Sequence, residues 1–291
     1  MTFGSLATAM ITPFTAAGSV DLDEAARIAA FLVDRGNDAL VVAGSTGEGM
    51  ALADAERSSL VAAVKNAVAG RAVVIANAGT NDTRSSVAAT KAMQASGADA
   101  ILAVVPYYNK PTPSGMLAHF GAIADATHLP VMIYNIPGRT GTNLTPATLL
   151  TLAARHANVL GVKESSGDLK QIATICRDRA PGFDVLCGDD HLFLPALAVG
   201  ADGLVGVATH LCSREFRAMY EAFRAGKTAE ATATHLATLE LIDALFATTN
   251  PIAIKWAMRR LGFATGECRL PLDGMPETLA QRIAPLVAAY R

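Results

Sequence analysis

Lys163 is the residue in this sequence best placed for covalent chemistry. It ends a short apolar run, Val159–Lys163, that is typical of a buried strand and is followed by Glu164. Burial in a low dielectric disfavours the ammonium form of a lysine, and a neutral amine can attack a carbonyl to form a Schiff base. A lysine at a strand end can also pair with a carboxylate or extend its amine into solvent. Position alone leaves both interpretations open.

Other groups that could act with such a lysine follow three further apolar runs. Gly44–Gly49 is rich in small residues that let backbone N–H groups converge on an anion. Tyr134 and Tyr108 carry phenols, which can relay protons. Arg139 offers a planar fork suited to a carboxylate. Each also has a commoner explanation: a glycine-rich turn, packing tyrosines and a solvated surface charge.

The elements that must position these groups alternate regularly along the chain. Eight short apolar runs are each followed by a turn and then by a segment of helical period, which predicts a parallel sheet covered by helices. Eight such units favour a closed (β/α)8 barrel over a doubly wound open sheet, because no G-x-G-x-x-G follows the first run. The runs are Leu6–Ile11, Leu40–Val42, Val73–Ala76, Ile101–Val105, Val131–Tyr134, Val159–Lys163, Val185–Cys187 and Leu204–Val207. In such a barrel the active site forms where the strands end, which would bring the candidate groups together.

After Val207 the strand pattern stops and helical patterns follow to the end of the chain. Asn250-Pro251 predicts a helix start, with Asn250 as the N-cap and Pro251 at the first helical position. The predicted helices are Ser213–Ala225, Thr228–Ala247, Pro251–Leu261 and Pro276–Tyr290. We therefore predict an α/β fold in two parts: a catalytic (β/α)8 TIM barrel over residues 1–224 and a small C-terminal helical domain over residues 225–291.

Composition excludes several classes of function. The net charge is −2 and no basic run exceeds Arg259-Arg260, so nucleic acid is not an expected partner. No apolar stretch is long enough to span a bilayer, and the first basic side chain is Arg27, so neither a membrane span nor a signal peptide is expected. The four cysteines are widely spaced without a C-x-x-C pair, which predicts reduced thiols, no structural metal site and a cytoplasmic protein.

Taken together, the motifs resemble a known enzyme family. The segments are similar to the signature blocks of the dihydrodipicolinate synthases, also called 4-hydroxy-tetrahydrodipicolinate synthases, of the N-acetylneuraminate lyase superfamily of class I aldolases. The resemblance covers essentially the whole chain. It is carried by Gly44-Ser45-Thr46-Gly47-Glu48, Pro106-Tyr107-Tyr108-Asn109, Tyr134–Gly141, Val162-Lys163-Glu164, Gly188-Asp189-Asp190, Asn250-Pro251-Ile252 and Lys255-Trp256-Ala257.

The resemblance implies a catalytic role for four residues. Lys163 would form an imine with the ketone of pyruvate, and Tyr134 would be the general acid–base beside it. Thr46 would link Tyr134 to Tyr108, which in this family enters from a neighbouring subunit. Such a relay is chemically reasonable, since a phenol with an ordinary pKa near 10 needs a hydrogen-bonded path for its proton.

The resemblance also implies the substrate contacts and the assembly. The backbone amides of Ser45 and Thr46 would hold the pyruvate carboxylate, and Val205 would contribute to substrate binding. Arg139 would bind the carboxylate of the second substrate, L-aspartate 4-semialdehyde, in the first committed step of the diaminopimelate route to lysine. Neither a metal nor an organic cofactor is implied, and a homotetramer built as a dimer of dimers is expected.

Within the superfamily, the competing reading is another pyruvate-dependent aldolase or lyase, acting on N-acetylneuraminate or a 2-keto-3-deoxy sugar acid. Those relatives usually lack the arginine matched by Arg139. A silent binding protein on the same scaffold is disfavoured by the joint presence of Lys163, Tyr134, Thr46 and Tyr108.

The chain departs from the family pattern where lysine-inhibited members bind their end product. Tyr107 and Asn81 match those members, whereas Gly49, Met50, Asp54, Arg57 and Ser85 do not. Lysine-inhibited members carry a glutamate at position 85 and histidines at positions 54 and 57. Because a cationic ligand would lose its counter-charge and meet the guanidinium of Arg57, we expect weak or absent feedback inhibition by lysine.

Overall fold

A computed structural model describes residues 1–290. At its centre is a closed barrel of parallel strands, whose order around the barrel is their order in the sequence. Every predicted apolar run coincides with a strand to within two residues at either end. The prediction of a (β/α)8 barrel is therefore confirmed. The strands are β1 (Leu6–Ala9), β2 (Ala39–Val42), β3 (Val73–Asn77), β4 (Ala100–Val104), β5 (Val131–Asn135), β6 (Val159–Glu164), β7 (Asp184–Cys187) and β8 (Gly203–Gly206).

Helices cover the barrel and continue past it. None of those within residues 1–290 combines the length and the apolar character needed to cross a membrane. The helices are α1 (Leu22–Asp34), α2 (Asp54–Val68), α3 (Thr83–Ala95), α4 (Pro113–Asp125), α5 (Pro137–Thr140), α6 (Pro146–Arg155), α7 (Leu169–Asp178), α8 (Phe193–Ala198), α9 (Thr209–Arg224), α10 (Thr228–Leu245), α11 (Ile252–Arg260) and α12 (Glu277–Ala288). The division of the chain after residue 224 falls between α9 and α10, and it stays a prediction about domain organisation.

Local sequence accounts for several helix starts. Asp21, Asp82 and Asp168 each accept a hydrogen bond from a backbone N–H of the first turn of the helix that follows. Thr112 and Thr145 do the same and are followed by a proline at the first helical position. These caps satisfy donors that have no partner inside the helix, and they fix where each helix leaves its loop.

Inward-facing side chains fill the barrel itself. The ring of Phe3 closes its N-terminal end against Gly161, where a Cβ atom would lie 2.8 Å from the ring. The interior cluster contains Phe3, Ala7, Ala9, Ala39, Val41, Ile75, Ala100, Leu102, Val104, Met132, Tyr134, Leu186 and Val205. The barrel is therefore packed through its lower and middle layers, which leaves its C-terminal mouth as the place for a site.

Aspartates just before three strands hold the N-terminal end of the barrel together. Each accepts a hydrogen bond from the backbone N–H of a neighbouring strand and also pairs with a basic side chain on a helix or its flanking turn. The three sets are Asp38 with Ser5, Leu6 and Arg217; Asp99 with Val74 and Lys65; and Asp202 with Val185 and Arg179. These bonds connect strands to one another and to the outer helices.

The C-terminal helices are tied to the barrel through a buried ion pair. Lys255 of α11 is 1% exposed, and its Nζ lies 2.7 Å from Oε1 of Glu48, in the loop after β2. The other carboxylate oxygen of Glu48 accepts a hydrogen bond from the backbone N–H of Arg269 at 2.7 Å. Burial lowers the pKa of Lys255, and the charge of Glu48 opposes that shift. Breaking such a pair from one side leaves an uncompensated buried charge, so the two regions depend on each other.

The prediction that Asn250 caps a helix is wrong. Helix α11 begins at Ile252, after Pro251, and no side chain caps its first turn. The side chain of Asn250 instead donates a hydrogen bond to Oγ1 of Thr46 at 2.8 Å. Because a buried hydroxyl without a partner costs free energy, the side chain of Asn250 bonds to the distant Thr46 instead of capping the adjacent helix.

Candidate active site

Lys163 lies inside the mouth of the barrel. It is 5% exposed. Along β6 its side chain shares the inward face with Gly161, and the next residue, Glu164, points outward. Within residues 1–290, no carboxylate pairs with its amine. The interpretation of Lys163 as an ion-paired strand-end lysine therefore finds no support, and the amine faces the interior of the site.

Tyr134 lies beside Lys163 on the neighbouring strand. The two residues are paired across β5 and β6, and the Lys163 Nζ lies 4.3 Å from the centroid of the Tyr134 ring. Tyr134 is also 5% exposed. An amine over a buried phenol ring can exchange protons with the phenol through a bound substrate atom.

Space for the lysine depends on Gly188, at the end of β7. A Cβ atom at this position would lie 2.8 Å from Cε of Lys163 and 1.9 Å from Oγ of Ser165. Both distances are too short for a non-bonded contact, so no side chain fits here without displacing the lysine. Gly188 of the Gly188-Asp189-Asp190 motif thus leaves space for the Lys163 side chain. Asp190 of the same motif fixes the segment after β8, because its buried carboxylate accepts hydrogen bonds from the backbone N–H groups of Val207 and Ala208.

The outward-facing Glu164 is hydrogen-bonded to residues that support the fold. Its carboxylate accepts hydrogen bonds from the side chains of Asn135 and Gln171 and from the backbone N–H of Ser166. Burial raises the pKa of Glu164, and these hydrogen bonds oppose the shift. The carboxylate lies behind the sheet and keeps the end of β6 in place.

The loop after β2 presents Ser45 and Thr46 to the same mouth. Ser45 is half-buried and Thr46 is 3% exposed, with its hydroxyl bonded to Asn250. Glu48 has a left-handed backbone conformation, with a φ of 52°, and the buried ion pair with Lys255 holds it there. A non-glycine residue in this conformation is strained, and such strain is concentrated at functional sites.

A cavity of about 280 Å³ opens over this loop, with Ser45, Arg139 and Asn250 among its lining residues. Arg139 is exposed on α5, and its Nη2 donates a hydrogen bond to the backbone carbonyl of Asn250 at 3.4 Å. Val205 is fully buried on the inward face of β8. The guanidinium is thus available at the rim for an anionic group, and the apolar wall lies deeper.

Tyr108 is not brought to the other candidate residues within one chain. Its side chain is 88% exposed, its φ is 72°, and its loop is held by a backbone hydrogen bond to Thr140. A large apolar ring held in a strained, exposed position does not contribute to the fold of its own subunit.

Sequence reasoning missed Asn77. It follows Ile75 on the inward face of β3 and is 2% exposed, and its amide nitrogen has no hydrogen-bond partner in the described part of the chain. When the strand pairings are followed around the barrel, Asn77 falls in one layer of inward-facing residues with Tyr134, Ala9 and Gly188. The alternation of β3 could have indicated its direction, but the predicted run ended at Ala76.

No group of three or more histidine, cysteine or acidic side chains is arranged to hold a metal ion in the described part of the chain. The polar groups that meet at the mouth are an amine, a phenol, hydroxyls, amides and a guanidinium. They are suited to binding carboxylates and to covalent and acid–base chemistry on a carbonyl compound.

Comparison with known proteins places the whole chain in one group. The model of the dihydrodipicolinate synthetase family matches residues 2–289. A 4-hydroxy-tetrahydrodipicolinate synthase from Moorella thermoacetica is 47% identical over 284 residues, which cover 98% of this chain and 97% of that protein. One from Thermosynechococcus vestitus is 48% identical over 282 residues, which cover 97% of this chain and 95% of that protein.

Solved structures agree with this grouping. The structure of DHDPS from Cyanidioschyzon merolae with lysine bound is 44% identical, with a TM-score of 0.97, and the match covers 100% of this chain and 99% of that one. The chloride-inhibited dihydrodipicolinate synthase from Acinetobacter baumannii, complexed with pyruvate, is 31% identical, with a TM-score of 0.94 and 99% of each chain covered.

Proposed function

The chain belongs to the dihydrodipicolinate synthetase family and is a lyase with 4-hydroxy-tetrahydrodipicolinate synthase activity, and on that premise we propose that Lys163 forms the imine with pyruvate. The observation that carries this assignment is the buried Nζ of Lys163, which lies 4.3 Å from the ring centroid of Tyr134 and has no carboxylate partner among residues 1–290. The amine attacks the ketone carbon, water leaves as the imine forms, and loss of a methyl proton gives an enamine nucleophile.

The loop after β2 holds the carboxylate of pyruvate. The backbone N–H groups of Ser45 and Thr46 donate to it, and Val205 on β8, two strands away around the barrel, supplies an apolar wall. Pyruvate is the molecule bound in the Acinetobacter baumannii relative, which supports a keto acid of this size. Converging backbone donors recognise a carboxylate without a basic side chain that would compete with the imine nitrogen.

Protons move through Tyr134, Thr46 and Tyr108. Tyr134 gives and takes protons at the carbon and nitrogen atoms next to Lys163, and the hydroxyl of Thr46 passes them on. Tyr108 completes the relay from a neighbouring subunit, an assignment supported by the 88% exposure of its side chain. The functional unit is then at least a dimer, and we propose a homotetramer built from two such dimers.

The second substrate is L-aspartate 4-semialdehyde, whose carboxylate pairs with Arg139. The guanidinium lies exposed at the rim of the cavity, and its hydrogen bond to Asn250 leaves most of its donors free. The enamine attacks the aldehyde carbon, and the amine of the semialdehyde then displaces Lys163 as the ring closes. Reduced, unpaired cysteines support the proposal that this takes place in the cytoplasm.

Borohydride reduction in the presence of pyruvate tests the first assignment. We expect a stable adduct on Lys163, identified by peptide mass spectrometry, and no adduct in Lys163→Met. An adduct on another lysine, or none, would remove the proposal. The exposed Lys170 provides the matched control, since Lys170→Met should be trapped as the natural sequence is.

Arg139→Ala tests the second substrate. It should raise the KM for the semialdehyde and lower turnover, while trapping of pyruvate on Lys163 stays unchanged. Losing a charge-assisted bidentate contact corresponds to about tenfold or more in kcat/KM. Normal kcat/KM for the semialdehyde in this variant would show that another group binds its carboxylate.

We further propose that feedback inhibition by lysine is weak or absent. The region to which the family resemblance assigns lysine forms a cavity whose lining includes Asp54, Arg57, Asn81 and Ser85. Arg57 is paired with Asp54 at 2.8 Å, so its guanidinium stands where an ammonium would have to bind. Activity measured across millimolar lysine should stay nearly constant, and half-inhibition below about 1 mM would contradict the proposal.

A further inference from the structure

Asn250 joins the two halves of the proposed site. Its side-chain amide donates a hydrogen bond to Oγ1 of Thr46 at 2.8 Å, and its backbone carbonyl accepts one from Arg139 at 3.4 Å. Asn250 and Thr46 are 8% and 3% exposed. One residue of the segment between α10 and α11 thus contacts a relay residue on one side and the proposed carboxylate-binding arginine on the other.

The segment that carries Asn250 is held firmly. Lys255, one turn further along the chain, forms the buried ion pair with Glu48 in the same loop that carries Thr46. Oγ1 of Thr265 donates a hydrogen bond to the backbone carbonyl of Lys255 at 3.1 Å. The contact between Asn250 and Thr46 is therefore one of two neighbouring links between the same two segments, which restricts how far the amide can move.

The direction of this hydrogen bond matters chemically. A threonine hydroxyl has one hydrogen to donate and lone pairs with which to accept. When the amide of Asn250 occupies a lone pair, the hydrogen of Thr46 stays available for a phenol oxygen. A group at position 250 that could only accept would take that hydrogen and leave nothing to donate onward.

We propose that Asn250 is a positioning residue that keeps the hydroxyl of Thr46 oriented as a donor toward the tyrosine relay. This inference rests on the proposed function, in which Thr46 passes protons between Tyr134 and Tyr108. Asn250 touches neither substrate in this role; it acts through Thr46. The C-terminal helical region thereby sets the direction of a hydrogen bond in the barrel mouth.

Asn250→Asp tests the direction of the bond, because it keeps the shape of the side chain but replaces its donor with an acceptor. We expect kcat near pH 8 to fall by about 100-fold, the scale of a lost acid–base contribution. The loss should shrink as the pH falls, since a protonated aspartic acid can donate again and burial brings that protonation closer to neutrality. A role limited to packing would give a loss independent of pH.

Thr249→Asp is the matched control for added charge. Thr249 is exposed and precedes Asn250 in the sequence, so an aspartate there introduces the same charge without contacting Thr46. We expect its kcat to stay within about twofold of the natural value, as for surface substitutions in general. Wild-type turnover and an unchanged pH profile in Asn250→Asp would overturn the proposal, and so would an equal loss at every pH.

A double-mutant cycle keeps the inference testable if the aspartate variant fails to fold. Asn250→Ala and Thr46→Val each remove one side of the bond, so the combined variant should be no slower than Thr46→Val alone. Losses that multiply would show that Asn250 acts independently of Thr46 and would reject the proposal. Borohydride trapping on Lys163 of the natural chain reports separately on the proposed function.

Discussion

The N-terminal and C-terminal ends of the barrel use their polar groups in opposite ways. At the N-terminal end, Asp38 accepts backbone hydrogen bonds from Ser5 and Leu6 and pairs with Arg217. Asp99 and Asp202 repeat the arrangement before β4 and β8. At the C-terminal end, within residues 1–290, Lys163 has no carboxylate at ion-pair distance, and buried polar atoms of Asn77 and Ser165 have no hydrogen-bond partner.

Most of the backbone strain follows the same division. Ala43, Glu48, Tyr108 and Lys110, which are not glycines, have φ values of 56°, 52°, 72° and 48° in loops at the C-terminal end, whereas at the N-terminal end Ala69, with a φ of 49°, ends α2. Strained backbone and unpaired polar atoms both reduce stability, and they persist where a substrate will use them. The difference teaches that one end of this barrel is built to hold the fold and the other to react.

The largest expected effect is at the reactive end. Lys163→Met should lower kcat by about 1,000-fold or more, since it removes the proposed nucleophile. The free energy of unfolding should change by less than about 1 kcal/mol, because no ion pair is lost and the methionine keeps most of the apolar stem. Steady-state kinetics and chemical denaturation measure the two quantities. A large loss of stability would break the comparison.

The next effect is at the stabilising end. Asp38→Ala should lower the free energy of unfolding by about 2 kcal/mol, because it leaves the N–H groups of Ser5 and Leu6 without their acceptor. kcat and KM should stay unchanged in the folded enzyme. Asp34→Ala is the control, since Asp34 pairs with Arg71 on the surface and should cost less than about 1 kcal/mol. Equal losses from the two variants would contradict the proposed role of Asp38.

Two buried asparagines sharpen the comparison. Asn37, before β2, accepts a hydrogen bond from Thr8 and donates one to Leu32, whereas the amide nitrogen of Asn77 at the mouth has no partner. Asn37→Ala should therefore cost about 1–2 kcal/mol of stability, and Asn77→Ala should cost clearly less. Chemical denaturation of the two variants measures the difference. The reverse order would show that Asn77 has a structural partner after all.

The smallest expected effect is the pH dependence contributed by Asp38. Burial tends to raise the pKa of its carboxyl, but hydrogen bonds from Arg217 and the backbone of Ser5 outweigh it, and the pKa is lowered from 3.8. The carboxylate thus contributes stability above the unfolded-state pKa, and that contribution is lost as the pH falls through the lower folded-state pKa. Denaturation curves between about pH 5 and about pH 3 should show a steeper loss for the natural chain than for Asp38→Ala. Parallel losses would exclude Asp38 as a source.

Sequence patterns predict the barrel well because they are local. Short apolar runs alternate with amphipathic segments, and strand ends converge on one face by topology alone, which places Lys163 beside Tyr134. Residue chemistry suggested anion binding by the Gly44–Gly49 loop and by Arg139, but the substrate that each would bind and the relay role of Thr46 came from the family resemblance. For the same reason Tyr108 could be assigned to the site only through its family.

The contacts that sequence patterns missed are long-range and polar. Thr46 and Asn250 are 204 positions apart, and the local signal at Asn250-Pro251 favoured a helix cap that the tertiary contact displaces. Asn77 was missed because its strand was predicted to end one residue too early. Apolar periodicity says where a strand points, but it does not say which distant group satisfies a buried hydroxyl or amide.

The buried pair of Glu48 and Lys255 also sets an order of events during synthesis. A nascent chain leaves the ribosome from its N-terminus, so all eight strands are available once residue 206 has emerged. The loop after β2 then carries an acidic side chain whose partners at Lys255 and Arg269 have not yet been made. The loop after β2 therefore gains its buried ion pair only after the C-terminal segment has been synthesised.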